Sequence, residues 1–202
     1  MTRPAVFTRR VDLERPAVFV DRDGTIILEK VYLSDPDGVE LVPGAVEGLK
    51  TLRDAGFALV VVTNQAGIAR GLYTTADYEA VAARLTAQLA EHDLRVDATY
   101  YCPHHPDETG PCACRKPGTG MYEAAAEAHG LALAESFYVG DKRSDVEAAH
   151  ALGGRGILVR TGYGREHEAE VRDDVWVVDD LAAAARRIVG VSQEGATPDP
   201  SR

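Results

Sequence analysis

The stretch "AVFVDRDGT", residues 17–25, decides how the rest of the chain is read. Four consecutive apolar residues are too few for a helix and suit a strand buried on both faces. The run stops at Asp21, and Asp23 stands two residues further on, so an extended backbone projects both carboxylates to the same side. Gly24 then permits a sharp turn. A calcium loop of the EF-hand kind would carry its glycine sixth in a longer acidic ladder, which this stretch lacks.

Working outward, strand and helix patterns alternate. Apolar runs at 57–62, 96–101, 136–140, 156–160 and 174–178 predict five further strands. Between them lie helical signals. Val46, Leu49 and Leu52 share one face ahead of a stop at Gly56, and Thr74 caps a segment with Tyr78, Val81, Leu85 and Leu89 in register. Residues 121–128, 144–152 and 180–189 read as three more helices. The alternation predicts an α/β fold, a Rossmann-like three-layer sandwich whose parallel sheet is covered on both faces. In such sheets ligands bind beyond the carboxyl ends of the strands. Asp21, Thr63, Cys102 and Asp141 all fall at predicted strand ends, which places four polar positions on one edge.

The domain is expected to span residues 16–190, with an N-terminal extension at 1–15 and a disordered tail at 191–202. Once its helix is subtracted, the segment from Asp21 to Thr63 is too short for a large cap domain. The site should therefore be open, with residues 25–42 and the cysteine loop as a partial lid.

Composition narrows the partners. The 202 residues carry a formal charge of −10 and no basic stripe, which argues against nucleic acid and anionic membranes and leaves room for a small phosphorylated substrate held locally. No apolar run approaches a membrane span, and no secretory signal is visible, so a cytoplasmic, monomeric protein is expected.

All three cysteines fall within "YYCPHHPDETGPCACRK", residues 100–116. Cys102, His104, Cys112 and Cys114 make a three-thiolate, one-imidazole set suited to a closed structural zinc site, with His105 as the alternative to His104. A closed site leaves no position for water, so the zinc would staple the loop and aim Arg115 and Lys116 at the sheet edge. On that edge "YVGDKRSD" adds Asp141 and Asp145 to Asp21. Such a cluster of carboxylates repels itself unless a cation neutralises it, and Mg²⁺ fits a few carboxylates plus phosphate oxygens.

Together the motifs "DRDGT", "TN", a lysine before the fourth strand and "GDKRSD", in that order over residues 17–160, resemble the haloacid dehalogenase superfamily of phosphotransferases. The resemblance implies that Asp21 is a nucleophile forming an aspartyl-phosphate and that Asp23 is the general acid and then base. Thr63 and Lys116 would hold the phosphoryl oxygens, and Mg²⁺ would sit between the Asp21 carboxylate, the Asp23 main-chain carbonyl and Asp141. Within the superfamily, "CACRKPGTGM" and "VVTNQAGIARG" are similar to the heptose-bisphosphate phosphatases, which remove the 7-phosphate of D-glycero-D-manno-heptose 1,7-bisphosphate. That likeness implies substrate contacts from Glu29, Tyr32, Thr63, Asn64, Gln65, Arg115, Lys116 and Lys142. The related histidinol-phosphate phosphatases carry the same type of zinc loop and are the alternative. A non-catalytic phosphosugar-binding zinc scaffold is the non-enzyme reading.

Overall fold

In a computed structural model that describes residues 15–195, the apolar runs form six parallel strands in one sheet. The strands are β1 (Ala17–Val20), β2 (Ala58–Asn64), β3 (Ala98–Cys102), β4 (Phe137–Gly140), β5 (Arg155–Val159) and β6 (Trp176–Val178). Their spatial order is β3-β2-β1-β4-β5-β6. The chain winds outward from β1 in one direction and restarts at β4 in the other, so the crevice between β1 and β4 is the point where strand order reverses.

Period-two alternation divides the side chains between two cores. Val18, Val20, Leu59 and Val61 face one core, while Ala17, Phe19, Ala58, Val60 and Val62 face the other. The first is closed by α1 (Ala45–Asp54), α3 (Thr75–Ala90) and α8 (Leu181–Gly195), through residues such as Leu49, Leu85 and Ile188. The second is closed by α5 (Gly120–His129) and α6 (Arg143–Leu152), through Met121, Tyr122 and Ala148. Three one-turn helices complete the set: α2 (Ala66–Ala69), α4 (Pro106–Thr109) and α7 (Gly164–His167). The expected Thr74 cap is present as a reciprocal pair. The Thr74 hydroxyl accepts from the Asp77 backbone N–H at 3.2 Å, and the Asp77 carboxylate accepts from the Thr74 N–H at 2.7 Å.

The structure departs from the sequence reading in three places. β2 runs two residues past 62, so Thr63 and Asn64 pair with Tyr101 and Cys102 inside the ladder instead of following it. The three short helices went unread because one turn is too brief to show a period. α8 continues to Gly195, so the expected tail at 191–202 begins within a helix. There the Ser192 hydroxyl donates back to the Ile188 carbonyl at 2.9 Å, one turn earlier. The rest of the expected tail and of the extension, residues 196–202 and 1–14, lies outside the described residues. Arg15, placed in the extension, is tied in by an ion pair to Asp97 at 2.7 Å.

Among the described residues nothing builds a separate cap: β1 and β2 are joined through α1 and a short 3-10 turn, and β2 and β3 through α2 and α3. Nor is any described helix long and apolar enough to cross a membrane.

Candidate active site

Asp21 follows β1 directly, and its backbone N–H donates to the Val139 carbonyl of β4 at 2.8 Å. That bond pins the start of the acidic stretch in the crevice between the two central strands. Asp141 follows β4 on the opposite bank, and carboxylate oxygens of Asp21, Asp141 and Asp145 lie within 4.8 Å of one another. All three residues are buried. Two glycines make the space for Asp141. A Cβ on Gly24 would stand 2.2 Å from Asp141 Oδ2, and one on Gly162 would stand 2.1 Å from it.

Burial and mutual repulsion act on these acids together. Burial, countered by Lys116 and reinforced by Asp145 and Asp23, pushes the Asp21 carboxyl up to about 7. Burial and the neighbouring Asp21 push Asp141 up to about 8. Asp145 differs from the other two because both of its oxygens are taken. Oδ1 lies 2.8 Å from Lys116 Nζ, and Oδ2 accepts the Lys142 N–H at 2.9 Å as the cap of α6. Asp141 Oδ1, by contrast, is a buried acceptor with no partner. A hard cation is the kind of group that an unpartnered buried carboxylate oxygen accommodates, so the donor set fits Mg²⁺.

Lys116 is the cation already in place. Its Nζ donates to Asp21 Oδ1 at 2.6 Å and to the Val62 carbonyl at 2.7 Å, with Asp145 as the third partner. Burial alone would discharge this amine, but Asp145 and Asp21 outweigh it and raise its affinity for the proton. The side chain is aimed by its own backbone. Asn64 Nδ2 donates to the Lys116 carbonyl at 3.1 Å, and Asn64 Oδ1 accepts the Lys116 N–H at 3.0 Å. Asn64, expected among the substrate contacts, therefore spends its amide clamping the end of the cysteine loop to β2.

Asp23 stands in a different setting. Its Oδ2 accepts from Thr63 Oγ1 at 3.3 Å and from Gln65 Nε2 at 3.0 Å, while Arg22 grips both of its oxygens. Gln65 was also expected to touch substrate. Its amide is instead shared among Asp23, Thr63, Arg22 and Tyr73, and the residue is only 3% exposed. Arg22 is the residue of this cluster that sequence reasoning left without a role, and Asp145, placed among the clustered carboxylates, was not foreseen as a partner of Lys116.

The edge opens into a cleft of about 530 Å³. Asp21, Asp23, Glu29, Tyr32, Thr63, Asn64, Gln65, Arg115, Lys116 and Lys142 all line it, as expected. Lys142 is held by Glu29 at 2.9 Å and lies over the Tyr163 ring, 4.7 Å from its centre. Tyr163 and His167, flanking or within α7, also reach the cleft. Tyr32 adopts a left-handed φ of +58° and receives a hydrogen bond from Arg70, whose other amine meets His105 Nε2 at 2.8 Å. The 25–42 segment and the cysteine loop are thus strapped together at the rim.

That use of His105 leaves His104 for the thiols. His104 Nδ1 lies 3.3 Å from Cys114 Sγ and 3.7 Å from Cys102 Sγ. The sulfurs stand 3.0 Å (Cys102–Cys114), 3.5 Å (Cys112–Cys114) and 3.7 Å (Cys102–Cys112) apart. A tetrahedral ion with bonds of about 2.3 Å to sulfur sets neighbouring sulfurs about 3.8 Å apart, so the four groups fit zinc with little adjustment. Burial, with the hydrogen bond to Cys114, pushes the Cys102 thiol up to about 12. A bound cation would have to displace those protons.

Comparison with known proteins agrees with this geometry. A family model described as HAD-hydrolase-like matches residues 113–184. The D-glycero-beta-D-manno-heptose-1,7-bisphosphate 7-phosphatase of Escherichia coli K12 is 43% identical over 173 residues, covering 83% of this chain and 90% of that protein. Its counterpart in Pseudomonas putida is 42% identical over 174 residues, covering 85% and 98%. Among solved structures, the D,D-heptose 1,7-bisphosphate phosphatase of B. bronchiseptica, complexed with magnesium and phosphate, superimposes with a TM-score of 0.79 at 36% identity. It covers 89% of this chain and 99% of that one. The enzyme of the same description from Burkholderia thailandensis gives a TM-score of 0.68 at 32% identity over 87% and 99%. On sequence and architecture alike, the chain belongs to the heptose-1,7-bisphosphate 7-phosphatase family of HAD-like hydrolases.

Proposed function

We propose that this protein hydrolyses the 7-phosphate of D-glycero-β-D-manno-heptose 1,7-bisphosphate through a phosphorylated Asp21. The observation that carries the reaction is the placing of Lys116 Nζ 2.6 Å from Asp21, with Asp141 in the same carboxylate cluster and Asp23 lining the same cleft. A carboxylate can approach an anionic phosphate only where positive charge offsets both. Family membership carries the choice of sugar.

The steps follow from the residues. An oxygen of Asp21 attacks phosphorus, the bond from phosphorus to the sugar oxygen breaks, and that oxygen takes the electron pair together with a proton from Asp23. Water then attacks the phosphoryl group and gives a proton back to Asp23. The bond from Asp21 to phosphorus breaks, and the carboxylate is restored. Lys116 steadies the phosphoryl oxygens, with the Thr63 hydroxyl beside them. Arg115 and Lys142 hold the sugar or its second phosphate, and Glu29 and Tyr32 flank it.

Asp21, Asp141 and the Asp23 carbonyl would hold Mg²⁺, which when bound screens the charge between nucleophile and phosphate. Cys102, His104, Cys112 and Cys114 would hold a structural zinc. Clustered cysteines that stand as free thiols suit a reducing, cytoplasmic setting, and we take the protein to act as a monomer.

The test is phosphate release by purified protein with Mg²⁺ from heptose bisphosphate and from histidinol phosphate. Preference for the heptose is expected. Preference for histidinol phosphate would reassign the substrate, and no release from any ester would leave a binding protein.

A further inference from the structure

Arg22 has no part in the steps above, yet it is among the most deeply buried large side chains, at 2% exposure. Its Nε donates to Asp23 Oδ2 at 3.1 Å and its Nη2 to Asp23 Oδ1 at 3.0 Å, the two-pronged grip that a planar guanidinium makes on a carboxylate. Nη2 also donates to Gln65 Oε1 at 3.1 Å, and the guanidinium carbon lies 5.3 Å from the centre of the Tyr78 ring. Gln65 completes the ring of contacts. Its Nε2 returns to Asp23 at 3.0 Å, and its Oε1 accepts the Tyr73 hydroxyl at 2.6 Å. Tyr73 in turn lies against Gly67, where a Cβ would fall 2.1 Å from the ring. Gln65 and Tyr73 thereby tie the wall of the cleft to this cluster.

Stability does not account for such a residue. A buried ion pair is commonly matched or bettered by apolar packing of equal volume, and here one arm, Nη1, is buried with no hydrogen-bond partner. What the cluster does achieve is geometric. Both oxygens of Asp23 are fixed from within, while the side chain keeps 15% exposure and lines the cleft.

We infer that Arg22 is a positioning residue that sets the Asp23 carboxylate for proton transfer to the leaving oxygen, an assignment that rests on the phosphatase reading. Lysine cannot replace it, since a single ammonium cannot grip both oxygens, bond Gln65 and lie against Tyr78 at once.

The test exploits the leaving group. A sugar alkoxide must be protonated as it departs, whereas 4-nitrophenolate leaves without a proton. Wild type, Arg22→Met and Arg22→Lys are assayed on a sugar phosphate and on 4-nitrophenyl phosphate. The kcat/KM, which reports the first displacement and so excludes the later water step that also uses Asp23, is expected to fall by about 10²-fold on the sugar phosphate in both variants and by less than about tenfold on the aryl ester. Because Arg22→Met leaves a carboxylate without its counter-charge, at a cost to folding, Arg22→Lys is also combined with Asp23→Asn. A residue that acts through Asp23 adds little further loss in that background. Equal losses on both substrates, or a full loss in the Asp23→Asn background, would overturn the assignment. Wild-type protein inactive on both esters would instead overturn the phosphatase reading, and the assignment with it.

Discussion

Two clusters of ligating side chains stand at one end of this sheet, and they are built in opposite ways. The carboxylate cluster draws Asp21 and Asp141 from the ends of neighbouring strands 120 residues apart in sequence, so only the completed sheet brings them together. The thiol cluster draws its members from residues 102–114, a stretch with a single turn of helix inside it. The first holds buried charge balanced by Lys116, and the second holds thiols of which two, Cys102 and Cys114, are pushed by burial towards the neutral form. The two meet at Arg115 and Lys116, the pair that directly follows the last cysteine. The comparison teaches that the fold supplies the reacting acids, while the loop supplies the cation that lets them react.

The largest expected effect breaks the first cluster alone. Asp21→Asn should lower kcat by at least about 10³-fold while leaving the circular dichroism spectrum and the zinc content unchanged. Cys112→Ser breaks the second. Metal analysis should show zinc lost, with activity down by about tenfold to a hundredfold through misplaced Arg115 and Lys116. Kinetics unchanged in a zinc-free protein would show that the loop does not aim those cations. Asn64→Ala cuts the link between the clusters, removing both hydrogen bonds to the Lys116 backbone. A loss of about tenfold in kcat with zinc retained is the expected result, measured by steady-state assay beside metal analysis.

The smallest effect is one of pH. Asp21 and Asp141 are held near 7 and 8, above their ordinary 3.8, so in metal-free protein their contribution to stability is complete below about pH 4. It is lost as pH rises through 7 to 8 and the acids are forced to ionise. Mg²⁺ binds the ionised pair and releases protons. Thermal melts should therefore show a Tm gain from Mg²⁺ that is slight at pH 5 and grows towards pH 8. A gain independent of pH would mean that the ion binds elsewhere.

Much of this arrangement could be read from residue order, because alternating apolar runs specify strand ends and polar residues at strand ends share an edge. That logic located Asp21, Thr63 and Asp141, and local spacing located the thiols. It failed where a side chain's partner is set by three-dimensional packing. Gln65 follows Thr63 and Asn64 and so looked like a ligand contact, yet its amide turns inward to Asp23 and Tyr73. Arg22 offers no one-dimensional sign that its charge is buried. Nothing in the doublet His104–His105 separates the two rings. Only the fold shows one of them against Cys114 and the other against Arg70.

Cys102 belongs to both worlds: it ends β3, it is fully buried in the apolar core beside Met121 and Tyr122, and it forms one corner of the thiol set. An ion seated there is rooted in the interior and not merely draped over the surface. Chelation should accordingly do more than slacken a loop. It should shorten the lifetime of the whole molecule under proteolysis, so that the supply of the ion would set how much of the protein persists.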